Sequence, residues 1–131
     1  MQKVGLFVLL TIFMIGLTSC SPGVGSSATA TLSSYLKALV DKDENTMTSL
    51  VCPNWQTDAL VELDAFQASK TQLEGLACRQ AGSENNAVLI NCQGKILASY
   101  SGATQTFDLS NRIYRLEKNG TDWQVCGYTM K

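Results

Sequence analysis

The alternation of apolar and polar positions divides the chain into three regimes. Val4 to Leu17 reads VGLFVLLTIFMIGL, almost without a polar residue. That run is too short to cross roughly 30 Å of hydrocarbon comfortably, and it has the length of a signal-peptide core. Further on, Leu32, Tyr35, Leu36, Leu39 and Val40 recur at i, i+3, i+4, i+7 and i+8. This spacing predicts one face of an amphipathic helix, with Thr29 or Thr31 as its cap. Asp41-Lys42-Asp43 breaks it, and Asp43 is placed to cap a short second helix carrying Met47, Leu50 and Val51. Cys52-Pro53-Asn54 ends that helix. Asn54 then caps a third, whose face is Trp55, Ala59, Leu63 and Phe66.

After Lys70 the period changes to two. Val88, Ile90, Cys92, Gly94, Ile96, Ala98 and Tyr100 share one phase, and the positions between them are mostly polar. This is a long strand with one face toward the core. A shorter strand with Leu76 and Cys78 precedes it, joined through residues 82–86. A third strand runs from about Gln105 to Glu117. Its apolar residues change phase between Ile113 and Tyr114, which predicts a bulge near Ser110-Asn111. Asn119-Gly120 marks a hairpin turn, and Trp123 to Tyr128 forms the last strand. Helices followed by strands define an α+β class. The expected architecture is N-terminal helices packed on a four-stranded antiparallel meander, cone-like in shape.

The segment after the apolar run changes the picture. Lys3 supplies a positive start, and the run closes on Leu17-Thr18-Ser19-Cys20. An aliphatic residue three before a cysteine, followed by two small residues, resembles the lipobox of bacterial lipoproteins. The resemblance implies cleavage before Cys20, a lipid on the Cys20 thiol, and a location on the extracytoplasmic side of a cell membrane or outer membrane. Residues 1–19 are then signal peptide. Residues 20–30, rich in glycine and small polar side chains, read as a flexible tether that leaves orientation free. Residues 31–131 form the domain.

With Lys3 removed, nine basic residues face eleven acidic ones, and no basic stripe exists for nucleic acid to bind. The chain has no histidine, so the commonest metal ligand and the usual general base at neutral pH are missing. No cofactor is expected. Cys52, Cys78, Cys92 and Cys126 lack the close spacing of a zinc site and read as two disulfides of an exported domain. Four cysteines allow three pairings. Cys78 and Cys92 flank a turn centred on Asn85, which places them opposite each other in a regular hairpin. Cys52 is left to meet Cys126.

The helix around Tyr35-Leu36-Lys37-Ala38-Leu39-Val40-Asp41-Lys42-Asp43 and the closing strand Asp122-Trp123-Gln124-Val125-Cys126-Gly127-Tyr128 resemble nuclear-transport-factor-2-like and SnoaL-like domains. The chain also looks like small exported lipoproteins with the same four-cysteine pattern. Relatives of the fold include ketosteroid isomerases and dehydratases, which use a carboxylate base in an apolar cavity with a tyrosine or protonated acid as oxyanion donor. Asp58 and Asp64 are the candidate acids on the third helix, yet both lie off its apolar face. Asp41, Asp43 and Asn45 occupy positions 1, 3 and 5 of a calcium loop, but Thr46 and Cys52 stand where glycine and glutamate are required. Tyr35, Trp55, Phe66, Tyr100, Phe107 and Trp123 are expected mainly as core.

The sequence therefore implies a membrane-tethered binding or accessory lipoprotein without enzymatic activity, acting on a protein partner or small apolar ligand. The alternative is a small apolar-ligand pocket protein or an isomerase- or dehydratase-like enzyme. A buried carboxylate facing a sizeable cavity would favour the alternative; a filled interior would favour the first.

Overall fold

The computed structural model describes residues 24–131. The signal segment and Cys20 lie outside the described residues. Three helices come first: α1 (Val24–Asp41), α2 (Glu44–Ser49) and α3 (Gln56–Phe66). Five strands follow: β1 (Lys70–Glu84), β2 (Ala87–Tyr100), β3 (Ala103–Asp108), β4 (Arg112–Asn119) and β5 (Asp122–Met130).

The tether expected over residues 20–30 is overturned from Val24 onward. Residues 24–30 are the first two turns of α1, and Ala28 is fully buried in the core. Thr29 and Thr31 are interior to the helix and do not cap it. The expected face is correct: Leu32, Tyr35, Leu36, Leu39 and Val40 are all buried. At its end Lys42 takes a left-handed conformation (φ 58°), and the Asp43 N–H bonds back to the Ala38 carbonyl at 2.9 Å. The Lys42 N–H bonds to the Leu39 carbonyl, completing a Schellman-type close. Asp43 then caps α2 as expected, accepting from the Thr46 backbone N–H and hydroxyl. These two bonds hold its carboxyl below the usual range. Asn54 does not cap α3; Trp55 occupies that position without a side-chain bond.

The sheet is antiparallel in the order β1-β2-β4-β5, with β3 also pairing β2. The four-stranded, cone-like expectation is corrected on both counts. A 3-10 turn at Leu109–Asn111 splits the expected third strand into β3 and β4, which share one edge of β2. Asp108 caps this turn, accepting from the Ser110 N–H and hydroxyl. Asn91 pins it from β2: its Nδ2 donates to the Ser110 and Arg112 carbonyls at 3.0 and 2.8 Å. The phase change legible near Ser110-Asn111 is therefore real, although its form is a turn.

The sheet is also open. β1 and β5 stand at opposite ends of the strand order. The outer edge of β5 is taken by the segment before α3. The Cys52 N–H donates to the Val125 carbonyl and the Val125 N–H to the Leu50 carbonyl, both at 2.8 Å. This bridge covers the middle of the β5 edge at Val125. The helices cover one face of the sheet. There Ile90, Ile96, Tyr114, Leu116 and Val125 meet Leu32, Leu36, Leu39, Met47 and Leu63. Burial of each such side chain stabilises the fold by about 1.5–3 kcal/mol.

Both disulfides are present, Cys52–Cys126 and Cys78–Cys92, with Cα separations of 4.9 and 4.0 Å. The first ties the link between α2 and α3 to β5, and the second crosses β1 and β2.

Candidate functional site

One stretch of the helix–sheet interface is not filled. A cavity of about 560 Å³ opens there. Trp55, Val61, Glu62 and Phe66 line it from the helical layer, with Phe107 from β3 and Tyr128 from β5 opposite. The buried Ala98 contributes a small side chain to its wall, and the exposed Ala65 borders it. Phe66 and Phe107 pack edge to face at 5.3 Å, and Trp55 meets Tyr128 edge-on at 5.8 Å. Trp55 lies close to the β5 backbone because position 127 is glycine. A Cβ there would approach its ring to 3.3 Å, in a conformation (φ 132°) that side chains rarely adopt.

At the inner wall sits an ion pair. Arg112 Nη1 donates to Glu62 Oε1 at 2.6 Å, and the two side chains are 11% and 13% exposed. Glu62 Oε2 accepts from the Tyr35 hydroxyl at 3.0 Å. Arg112 Nη1 also donates to the Tyr114 hydroxyl at 3.2 Å, and its guanidinium lies 4.3 Å above the centre of the Tyr128 ring. The site thus draws α1, α3, β4 and β5 onto one charge pair.

Burial raises the Tyr35 hydroxyl well above the normal tyrosine range, and the Glu62 charge beside it adds to the effect. Tyr114 is raised chiefly by burial as well, with Arg112 opposing and Glu62 reinforcing. Burial works against the Arg112 charge, but Tyr114 and Glu62 outweigh it and the guanidinium is held protonated. Both phenols therefore remain neutral beside a fixed positive charge, Tyr35 donating to Glu62 and Tyr114 accepting from Arg112. Trp55 Nε1 is buried without a hydrogen bond of good geometry; the indole weakly favours the ionised form of Tyr35.

Sequence reasoning missed Glu62. The signal was present: Trp55, Ala59, Glu62 and Phe66 follow steps of 4, 3 and 4, so Glu62 belongs to the inward face. Asp58 and Asp64 are exposed, as their positions implied, and Asp58 reaches only the cavity rim. Of the six aromatics, Trp55, Phe66 and Phe107 line the cavity, and Tyr35 supports it from behind through Glu62. Trp123 is buried, with Lys118 over its ring, while Tyr100, expected on the core face, is 63% exposed. Asp41, Asp43 and Asn45 are all exposed.

Among the described residues, Cys52, Cys126 and Glu117 are close enough to suggest a metal cluster. With the two sulfurs bonded to each other, neither offers the thiolate that metal ligation requires.

The domain is a small α+β unit with helices on one face of an open antiparallel sheet and a lined cavity between the layers. Solved structures share that fold. One is Aln2 from a Streptomyces species, with a TM-score of 0.57, 6% identity, and coverage of 80% of this chain and 87% of that one. A SEC-C motif containing protein from Rhodopseudomonas palustris has a TM-score of 0.53 at 14% identity, covering 80% of this chain and 81% of the other. A five-substitution variant named Rd1NTF2_05 has a TM-score of 0.50 at 13% identity, covering 79% and 96%. At these identities the likeness is one of fold alone. No family model and no curated protein sequence matches the chain.

Proposed function

We propose that this chain is an exported, lipid-anchored binding protein whose cavity takes a small, largely apolar ligand. The observation that carries the binding role is the cavity itself. Its volume of about 560 Å³ falls within the range of small-molecule sites, and its wall combines aromatic and aliphatic side chains with one anchored charge pair. The anchor rests on the lipobox resemblance of Leu17-Thr18-Ser19-Cys20. Two disulfides accord with an oxidising compartment.

An isomerase-like reading gains from Glu62, an inward carboxylate beside a cavity. Its oxygens are already held by Arg112 and Tyr35 at 2.6 and 3.0 Å, so proton abstraction would require that network to break. The arrangement suits positioning of Arg112 better than base catalysis.

Titration with the neutral fluorophore N-phenylnaphthylamine tests the pocket. Saturable binding is expected, with a change in Trp55 emission, and Ala98→Phe should abolish it by filling the space. Equal binding by that variant would exclude the cavity as the site. For the anchor, labelled fatty acid should enter the protein in a bacterial host and fail to enter Cys20→Ala.

A further inference from the structure

The early start of α1 has a geometric consequence for the anchored protein. Only residues 21–23 separate Cys20 from Val24, the first described residue of the helix. Four extended steps of chain reach about 14 Å at most. A lipid on Cys20 therefore holds the N-terminal end of α1 close to the bilayer surface.

The elements at that end follow from the packing. α1 runs antiparallel to β1: Ser33 lies 3.8 Å from Cys78, whereas the Val40 carbonyl accepts from Thr71 Oγ1 at 2.5 Å. The start of α1 thus points to the end of β1, where Glu84 pairs with Ala87 across the β1–β2 turn. Ala87 pairs in turn with Glu117, so the β4–β5 turn lies at the same end. Ala98, in the cavity wall, pairs with Thr71 and Gln105 at the level of Val40. Val40 stands roughly 24 Å along the helix from Val24.

We propose that the lipidated domain stands with its β1–β2 and β4–β5 hairpin turns toward the lipid headgroups and the β3 end of its cavity, at Ala98 and Gln105, turned away from the membrane. This rests on the anchor reading above. The surface that meets the membrane is exposed and polar: Glu84, Asn85, Asn86, Lys118, Thr121 and Asp122. The described residues of the two turns offer no large apolar side chain to insert, so this end rests on the headgroup layer and owes its position to the tether. The cavity then faces solvent, where a small ligand can enter without crossing lipid.

Energy transfer from labelled single cysteines to a headgroup acceptor tests this on the full lipidated protein in phosphatidylcholine vesicles. Asn86→Cys and Thr121→Cys mark the turns, and Gln105→Cys marks the β3 end of the cavity. A height difference of roughly 24 Å should make transfer at least about twofold stronger from the turns. A twelve-residue Gly/Ser insertion after Ser21 should erase the difference. Equal transfer from all three positions in co-floating protein, or stronger transfer from Gln105, overturns the orientation alone. A difference that survives the insertion also overturns it, since the domain's own surface would then be setting the pose. Failure of the lipidated chain to co-float with vesicles overturns the anchor reading and this one together.

Discussion

Cys78 lies directly opposite Cys92 because Ala81 is bulged out of the β1–β2 ladder. The turn itself is Asn85-Asn86, with Glu84 facing Ala87, and a regular ladder from it would set Cys78 against Gln93. Gly82 pairs with Leu89 and Gln80 with Ile90, so Ala81 is the extra residue that restores the match. Deleting Ala81 should therefore leave the Cys78–Cys92 bridge intact, since Gln80 still meets Ile90. Non-reducing peptide mapping checks it; a new partner for Cys78 would contradict the bulge account.

The two bridges should differ in weight. Chain-entropy reasoning gives about 3 kcal/mol for closing the loop between Cys78 and Cys92, and roughly 4.5 kcal/mol for the one between Cys52 and Cys126. The longer bridge also secures the Leu50–Cys52 segment on the β5 edge. Urea denaturation of the paired alanine variants should rank Cys52→Ala/Cys126→Ala as the less stable. The reverse order would mean that the β5 edge holds without its covalent clamp.

Alkaline pH should destabilise the domain through Tyr35 and Tyr114. Burial raises both phenols in the folded state, whereas in the unfolded chain they ionise near about pH 10. Below that pH both states keep the protons and the stabilisation is complete. Above it the unfolded state binds fewer protons than the folded one, so stability falls as pH rises. Melting temperature should drop between about pH 9 and pH 11, and phenolate absorbance should show two tyrosines ionising only on unfolding. Ionisation of every tyrosine near about pH 10 in the folded protein would be incompatible with this burial.

Much of the framework was readable because it depends on periodicity. The faces of α1 and α3 and the long β2 strand follow from spacing that each element repeats, the Asp43 cap from its residue type, and the Cys52–Cys126 pair from elimination once Cys78 and Cys92 are matched. The errors arose where tertiary contacts override local signals. Residues 24–30 carry Gly25, Ser26, Ser27 and Thr29, all poorer helix formers than alanine, yet Ala28 is drawn into the core. Asn91 has the polar phase of β2 but is only 3% exposed, because its amide is consumed by the 3-10 turn. The Val51–Val125 bridge on the β5 edge joins segments distant in the chain, so no local pattern announces it. Glu62 was overlooked because a charged residue on an apolar face is noticed only once its partner, Arg112, is known.

Gly94 and Gly102, the next two glycines after Cys92, should respond differently to alanine. At Gly94 a Cβ would stand 2.6 Å from the Glu74 carbonyl oxygen, and φ is 111°. At Gly102 the space is open and only the conformation (φ 82°) resists. Gly102→Ala should cost about 1 kcal/mol from backbone strain, and Gly94→Ala about 3 kcal/mol or more once the clash is added. Thermal melts of the two variants compare them directly. Equal losses would show that β1 moves aside at Gly75 without penalty.

The Glu62–Arg112 pair should show strong coupling in a double-mutant cycle. Each group is nearly buried, so removing one leaves the other charged and poorly hydrated. Loss of one partner of a buried pair costs about 3–5 kcal/mol. Glu62→Leu strands Arg112 against Tyr114 and Tyr128, and Arg112→Met strands the carboxylate with Tyr35 alone. The double variant Glu62→Leu/Arg112→Met removes both charges and replaces them with apolar side chains of similar bulk. It should be more stable than either single variant, with a coupling energy of about 2 kcal/mol or more. Urea unfolding of the four proteins gives the cycle. Simple additivity of the two losses would mean that water already hydrates the pair through the cavity, and that the charges stand there for a ligand rather than for each other.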